Sequence, residues 1–501
     1  MKVFHAASSF LWLSIVSVVV FTSSAEKQPI IFDSDYGPFI DDVFALGLLI
    51  NSQDLVDIQL VLATSEQPAL SAQCMAAQLG LSEQAHIPVA VGSSFPPYEE
   101  RGSVCAIPGL MGFSMEPECL AYFGDNEASN ETTAISRTTG GNVADIIPNG
   151  VEHMAQMLMN SDREDWWYLV VGGQSSLRAL IENYPEAASK VDTLIVMAGN
   201  WCADFEPYPG VMAPSDETNI GCDPAAANFV LDSSNGVKFS NVYYVPVVMA
   251  DEIGGDDYKV FADAALSGSD PAAAATMNWY KIWSAAGRAD ESLLVHAEAM
   301  TYDPETESTP QFDPVAIMLA LELLSDACEE PRMSLIEMDG IHFFEAGEGM
   351  TDLAGVRRGA HFLLANDLTI SCCLLAEGLK PFPEAPRSAF SLHTGVDPSQ
   401  LPAECPNITE FVFDPETTPE VEYPVKVALG YTSPEAKAAV YSDMARRMAG
   451  QQVLCGAETP KLDADSGLED PLETDSSAGD EILPSLSGLL ALGIFSFLLT
   501  Y

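Results

Sequence analysis

Ile31-Phe32-Asp33-Ser34-Asp35-Tyr36-Gly37-Pro38-Phe39-Ile40-Asp41-Asp42 is the stretch around which the rest of the chain is organised. The apolar run Pro29-Ile30-Ile31-Phe32 leads into it as a buried strand, and Val43 to Ile50 follows as a helix. Four carboxylates therefore fall within ten residues at a strand-to-helix junction. In open α/β sheets that junction, at the carboxyl edge of the strands, is where ligands bind. Like charges this close repel one another unless a cation sits among them. Carboxylate oxygens suit a hard ion such as calcium, which takes six to eight oxygen ligands. An acidic surface with helix-capping aspartates accounts for Asp41 and Asp42 but not for Asp33 and Asp35.

Outward from this segment, strand-like and helical runs alternate. Ile58 to Ala63, Ile87 to Val91, Trp167 to Val171, Leu194 to Met197 and Val242 to Val248 read as buried strands. Ala69 to Leu79 reads as the second helix, and Val425 to Met448 as a late strand and helix. The alternation predicts an α/β fold with a mostly parallel central sheet flanked by helices. Two irregular, cysteine- and proline-bearing stretches, residues 93–149 and 371–420, read as loop insertions, and loops of such length usually line or cover a site. There are no internal repeats.

The two ends read as addresses. Lys2, an apolar run from Phe10 to Phe21 and small residues up to Ala25 form a signal-peptide pattern over residues 1–25. Residues 26–455 form the folded domain, and 456–480 an acidic stalk. Residues 481–501 are a hydrophobic tail: either a glycolipid-anchor signal behind Ser476-Ser477-Ala478-Gly479 or a retained membrane helix. The expectation is a protein held at an outer surface. Its ten cysteines are then expected to pair as disulfides, and none is spaced for zinc. Asn130-Glu131-Thr132 and Asn407-Ile408-Thr409 are glycosylation acceptors in that compartment. With Lys+Arg 21 against Asp+Glu 73, the net charge of −52 argues against nucleic acid as a partner. At 48% hydrophobic residues the chain has ample material for a core.

Asp33-x-Asp35-x-Gly37 followed by Asp41-Asp42 resembles the N-terminal signature of the inosine–uridine-preferring nucleoside hydrolase family, usually DxDxGxDD, with two extra residues before the final pair. Later segments resemble the same family in the same order. Val171-Gly172-Gly173-Gln174-Ser175-Ser176-Leu177 is similar to its GPLTNL turn, and Met197-Ala198-Gly199 to its MGG element. Glu217-Thr218-Asn219-Ile220 and Asp223-Pro224-Ala225-Ala226 are similar to AExN and DPxAA, and Gln311-Phe312-Asp313-Pro314 to the HDP motif. The resemblance runs over roughly residues 28–325 and implies a Rossmann-like nucleoside hydrolase fold with cysteine-rich insertions.

Carried over by position, the resemblance implies that Asp35, Asp42, Asp313 and the backbone carbonyl of Ser175 hold Ca2+. Asp35 would also accept a proton from water activated by the metal. Asp41, Glu217 and Asn219 would grip the ribose hydroxyls, with Asn200 or the Asn219 side chain standing in for an asparagine that appears as Val211, and Asp33 would support the set. The implied activity is hydrolysis of the N-glycosidic bond of ribonucleosides for base salvage, and the relatives are commonly oligomers. One departure stands out. The family places a histidine before the last aspartate to protonate the leaving base; here that residue is Phe312, which has no proton to give but could stack on a base. The glycine-rich loop Ala106 to Gly112 has no histidine either. A hydrolase of another ribosyl compound with a good leaving group, and a non-catalytic riboside-binding surface protein, remain as alternatives.

Overall fold

The computed structural model describes residues 26–97, 144–199, 218–289, 302–338 and 425–455, apart from 38 and 453. The proposed signal segment, stalk, tail, both glycosylation acceptors and nearly all of the two insertions lie outside the described residues. So do Asn200 and Glu217.

Nine strands form one sheet in the order β4-β3-β2-β1-β5-β6-β7-β9-β8. They are β1 (Gln28–Ser34), β2 (Val56–Ser65), β3 (Val89–Ser94), β4 (Ile146–Ile147), β5 (Trp166–Val170), β6 (Val191–Met197), β7 (Asn241–Val245), β8 (Met333–Met338) and β9 (Val425–Tyr431). Every neighbouring pair is parallel except β8 with β9, an antiparallel edge that the sequence did not announce. β7 stops short of the expected Val248. Pro246 has no N–H to offer the ladder, and Val247–Met249 turns instead into a short 3-10 helix.

Helices cover both faces, which is why the strands are apolar on both sides. In β1, Ile30 and Phe32 belong to one core layer and Ile31 to the other. The first layer is closed by α1 (Asp41–Ile50), α2 (Pro68–Leu81), helices Gly255–Ser267 and Pro271–Ala289, the Phe312–Leu324 helix, and Pro434–Met448. The second is closed by helices Gly150–Asn160, Ser175–Asn183 and Pro224–Leu231. Numbered in chain order these are α3 (Gly150–Asn160), α4 (Ser175–Asn183), α5 (Pro224–Leu231), α6 (Gly255–Ser267), α7 (Pro271–Ala289), α8 (Phe312–Leu324) and α9 (Pro434–Met448).

α9 braces the two helices that carry the acidic motif. Arg447 on α9 reaches Asp54, just past α1, at 2.8 Å. Arg332 bridges Glu322 of α8 (2.8 Å) and Asp443 of α9 (2.9 Å). Burial raises the Glu322 carboxyl above its ordinary range while Arg332 pulls it back. A disulfide between Cys328 and Cys455 closes the same corner across 127 residues, and Cys74 and Cys222 are each disulfide-bonded to a cysteine outside the described residues. None of the described helices is long and apolar enough to cross a membrane.

Candidate active site

β1 pairs with β2 on one side and β5 on the other: the chain winds outward from β1 through β2, β3 and β4, then returns at β5 and winds the other way. That switch point opens a crevice at the carboxyl ends of β1 and β5. β1 delivers Asp33 within the strand and Asp35 just beyond it. β5 delivers Val171-Gly172-Gly173, with the Val171 N–H donating to the Asp33 carbonyl at 2.8 Å. The approach is tight enough to demand glycine: a Cβ on residue 172 would lie 2.6 Å from the Asp35 backbone nitrogen and 3.0 Å from Asp35 Oδ1.

Asp41 and Asp42 are the first two residues of α1 rather than caps before it, and Asp313 is the second residue of α8. Carboxylate oxygens of Asp41, Asp42 and Asp313 lie within 4.8 Å of one another, and all three side chains are buried. Two helix N-termini, each with a partial positive charge, converge on this cluster. The Asp313 N–H donates to Asp41 Oδ2 at 3.4 Å, and the Ser34 hydroxyl donates to Asp42 Oδ1. These contacts do not offset desolvation. Burial pushes Asp42 up to about 7, against hydrogen bonds from Ser34 and Asp313. Asp313 is driven well above the usual carboxylate range by burial, then by the charges of Asp41, Asp42 and Asp35. Buried carboxylates this close can all ionise only with a counter-charge between them, and an all-oxygen donor set fits a hard cation. The residues present fit calcium.

Among the described residues Asp41, Asp42 and Asp313 form a mutually close carboxylate trio, while the resemblance places Asp35 with Asp42 and Asp313 at the cation and Asp41 at the sugar. Asp35 sits beside them, 3% exposed and near enough for its charge to act on Asp313. Asp33 is fully buried behind Asp35 and accepts from the Tyr168 hydroxyl at 2.8 Å. Burial raises Asp33 to about 7, opposed by hydrogen bonds from Thr64, Tyr168 and the Ser34 backbone.

Ser175 opens α4, and its hydroxyl donates to Asp223 Oδ2 at 2.5 Å. Asp223 in turn caps α5 by accepting from the Ala226 N–H at 2.9 Å. The side chain of Ser175 is thus committed to the Asp223-Pro224 element. Asn219 was expected to hold a ribose hydroxyl. In the structure its amide nitrogen donates to the carbonyls of Val171 and Met197, both at 3.0 Å, stitching the ends of β5 and β6 together. Phe312 is half-buried at the start of α8, with its ring packed against the first core layer. Reading the sequence missed Ser34, Thr64, Tyr36, Gln78 and Tyr168 as supports of the site. Gln78 alone carried a signal, and a weak one, since α2 holds a second glutamine, Gln73, in the same small and apolar run.

Comparison with known proteins decides what this geometry belongs to. Residues 30–397 match the sequence model of the inosine-uridine preferring nucleoside hydrolases. The chain belongs to that family. The pyrimidine-specific ribonucleoside hydrolase RihA of Escherichia coli (strain K12) is 27% identical over 229 residues. That match covers 44% of this chain and 59% of RihA, so the chain spans a little over half the length of this relative. Among solved structures, the plant nucleoside hydrolase PpNRh1 has 15% identity, covers 85% of this chain and 99% of its own, and has a TM-score of 0.44. The purine-preferring ribonucleoside hydrolase from Gardnerella vaginalis has 13% identity, with coverage of 84% and 99% and a TM-score of 0.44.

Proposed function

We propose that this chain is a calcium-dependent N-ribosyl hydrolase that cleaves the glycosidic bond of ribonucleosides, releasing ribose and the free base at an outer cell surface. The observation that carries the proposal is the buried trio Asp41, Asp42 and Asp313 beside Asp35, at the switch point of a sheet from this family. Asp41, Asp42 and Asp313 would hold the cation, with Asp35 and the Ser175 carbonyl as the further oxygen donors that the resemblance assigns. Bound calcium supplies an acidified water and a template for the ribose diol. Asp35 accepts the proton of the attacking water as general base. Asp33, held by Tyr168, keeps the Asp35 backbone in register. Glu217, with Asn200, would reach the sugar hydroxyls; Asn219 contributes first by fixing the β5 and β6 ends. Fixed negative charge around the sugar favours an oxocarbenium-like transition state over the neutral ground state.

Phe312 favours a second reading of the leaving group. A ring at that position donates no proton, so substrates whose base departs without protonation are better matched; a pyridinium riboside, already cationic, is one. A reducing-sugar assay with inosine, uridine and nicotinamide riboside, run with and without chelator, separates the readings. Asp35→Asn should abolish turnover with the fold intact; turnover that survives this substitution refutes the assignment of the base. Calcium bound without turnover across a broad riboside panel would favour a binding protein instead.

A further inference from the structure

Gln78 contributes to no motif and lies on α2, a helix that brings no residue to the crevice. Its side chain is nevertheless fully buried, among Cys74, Met75, Ala76, Ala77 and Leu79 of the same helix. An amide buried in an apolar layer is costly unless both ends are hydrogen-bonded. Here both are. Nε2 donates to the Val43 carbonyl at 2.8 Å and to Thr276 Oγ1 at 3.3 Å. Oε1 accepts from the Tyr36 hydroxyl at 2.7 Å. A carbonyl can only accept, so the Val43 contact fixes which end of the amide is nitrogen, and Tyr36 must donate.

The positions of the two partners matter more than the bonds themselves. Tyr36 follows Asp35, and Val43 follows Asp42. One side chain thereby ties the residue after Asp35 to the first turn of α1, which carries Asp41 and Asp42, across the loop between them. That loop is two residues longer than the DxDxGxDD spacing, so it has more conformations to restrict. Ser34 makes a second tie across it, accepting from the Tyr36 N–H at 3.2 Å while donating to Asp42. We infer that Gln78 is a positioning residue that, through Tyr36 and the Val43 carbonyl, sets the separation of Asp35 from the Asp41–Asp42 pair. This rests on the reading of Asp35 as base and of the pair as cation ligands. An apolar residue would fill the same volume, so the amide is there for geometry. Displacements of about 1 Å at a catalytic group cost roughly a hundredfold in rate.

The test compares wild type, Tyr36→Phe, Gln78→Met and the double variant by calcium titration calorimetry on metal-free protein, riboside kinetics and melting in chelator. Calcium affinity is expected to weaken roughly tenfold in each single variant, and kcat to fall by at least as much with KM little changed. The double variant should be no worse than Gln78→Met, because Tyr36 acts through Gln78. Chelated melting temperatures should not rank the variants in the order of their kcat. A folded Gln78→Met with affinity and kcat within twofold of wild type overturns the inference. So do additive losses in the double variant. If Gln78→Met fails to fold, Tyr36→Phe, which removes a single oxygen, decides by the same affinity and kcat criteria. Wild type that binds calcium but hydrolyses no riboside sinks the hydrolase reading alone, and the affinity comparison still decides the role of Gln78.

Discussion

Removing the metal should reverse the pH dependence of stability around neutrality. In the metal-free protein, burial holds Asp33 and Asp42 up to about 7 and Asp313 well above the ordinary carboxylate value. A raised folded-state pKa means the folded protein binds the proton more tightly than the unfolded chain does. The resulting stability is present in full below the ordinary value of 3.8 and is lost as the pH climbs through about 7. For Asp33 alone, a rise from 3.8 to about 7, at about 1.4 kcal/mol per unit, is worth about 4 kcal/mol. For a domain of roughly 430 residues, with an unfolding entropy of about 0.9 kcal/mol/K, that corresponds to about 4–5 °C in Tm. Asp42 and Asp313 act in the same direction. Calcium binds the ionised form, so its stabilising increment should grow over the same window as the metal-free Tm falls. The assay is thermal unfolding between about pH 5 and about pH 8, on protein dialysed against chelator and on protein in excess calcium. The exposed Asp165, lowered first by its hydrogen bond from Arg163, has the opposite sign: its contribution is present above the ordinary value and lost only as the pH falls below it, outside this window. A metal-free Tm that is level or rising through the window, with an equal calcium increment at both ends, would refute the reasoning.

Three further outcomes follow from the same geometry. Asp313→Asn removes a buried acid squeezed by Asp41, Asp42 and Asp35, so it should raise the metal-free Tm at about pH 8 while removing most of the calcium increment. Differential scanning fluorimetry with and without calcium checks both signs. Arg332→Met strands Glu322 and Asp443 in a buried corner; a loss of roughly 3–5 kcal/mol is expected in urea unfolding, against under 1 kcal/mol for an exposed pair such as Lys259–Asp263. Phe312→His places a proton donor where the family carries one. Turnover of inosine should rise by at least roughly tenfold relative to nicotinamide riboside, measured as kcat/KM for both substrates.

The acidic motif was legible because its chemistry is local. Four carboxylates between an apolar strand and a helix have few physical explanations, and the parallel sheet follows from the same strand–helix rhythm. What could not be read depends on contacts distant in sequence. Gln78 and Tyr36 are 42 residues apart, and Asp41 meets the Asp313 N–H across 272, so no spacing rule links them. Asn219 shows the opposite case. Its motif was visible, but an asparagine at a strand end can hold either a sugar or a backbone carbonyl, and only the placement of Val171 and Met197 reveals that its amide nitrogen holds the backbone. The role of Asp41 turns on a related point. Two consecutive residues at a helix start point about 100° apart, so a pattern that assigns one to metal and its neighbour to sugar is a statement about what lies opposite each of them. Here α8 lies opposite both, and its N-terminus brings Asp313 within reach of the pair. The cation site is therefore made by the packing of α1 against α8 as much as by the motif, and the α9 braces at Asp54 and Glu322, remote from the chemistry, hold that packing in place.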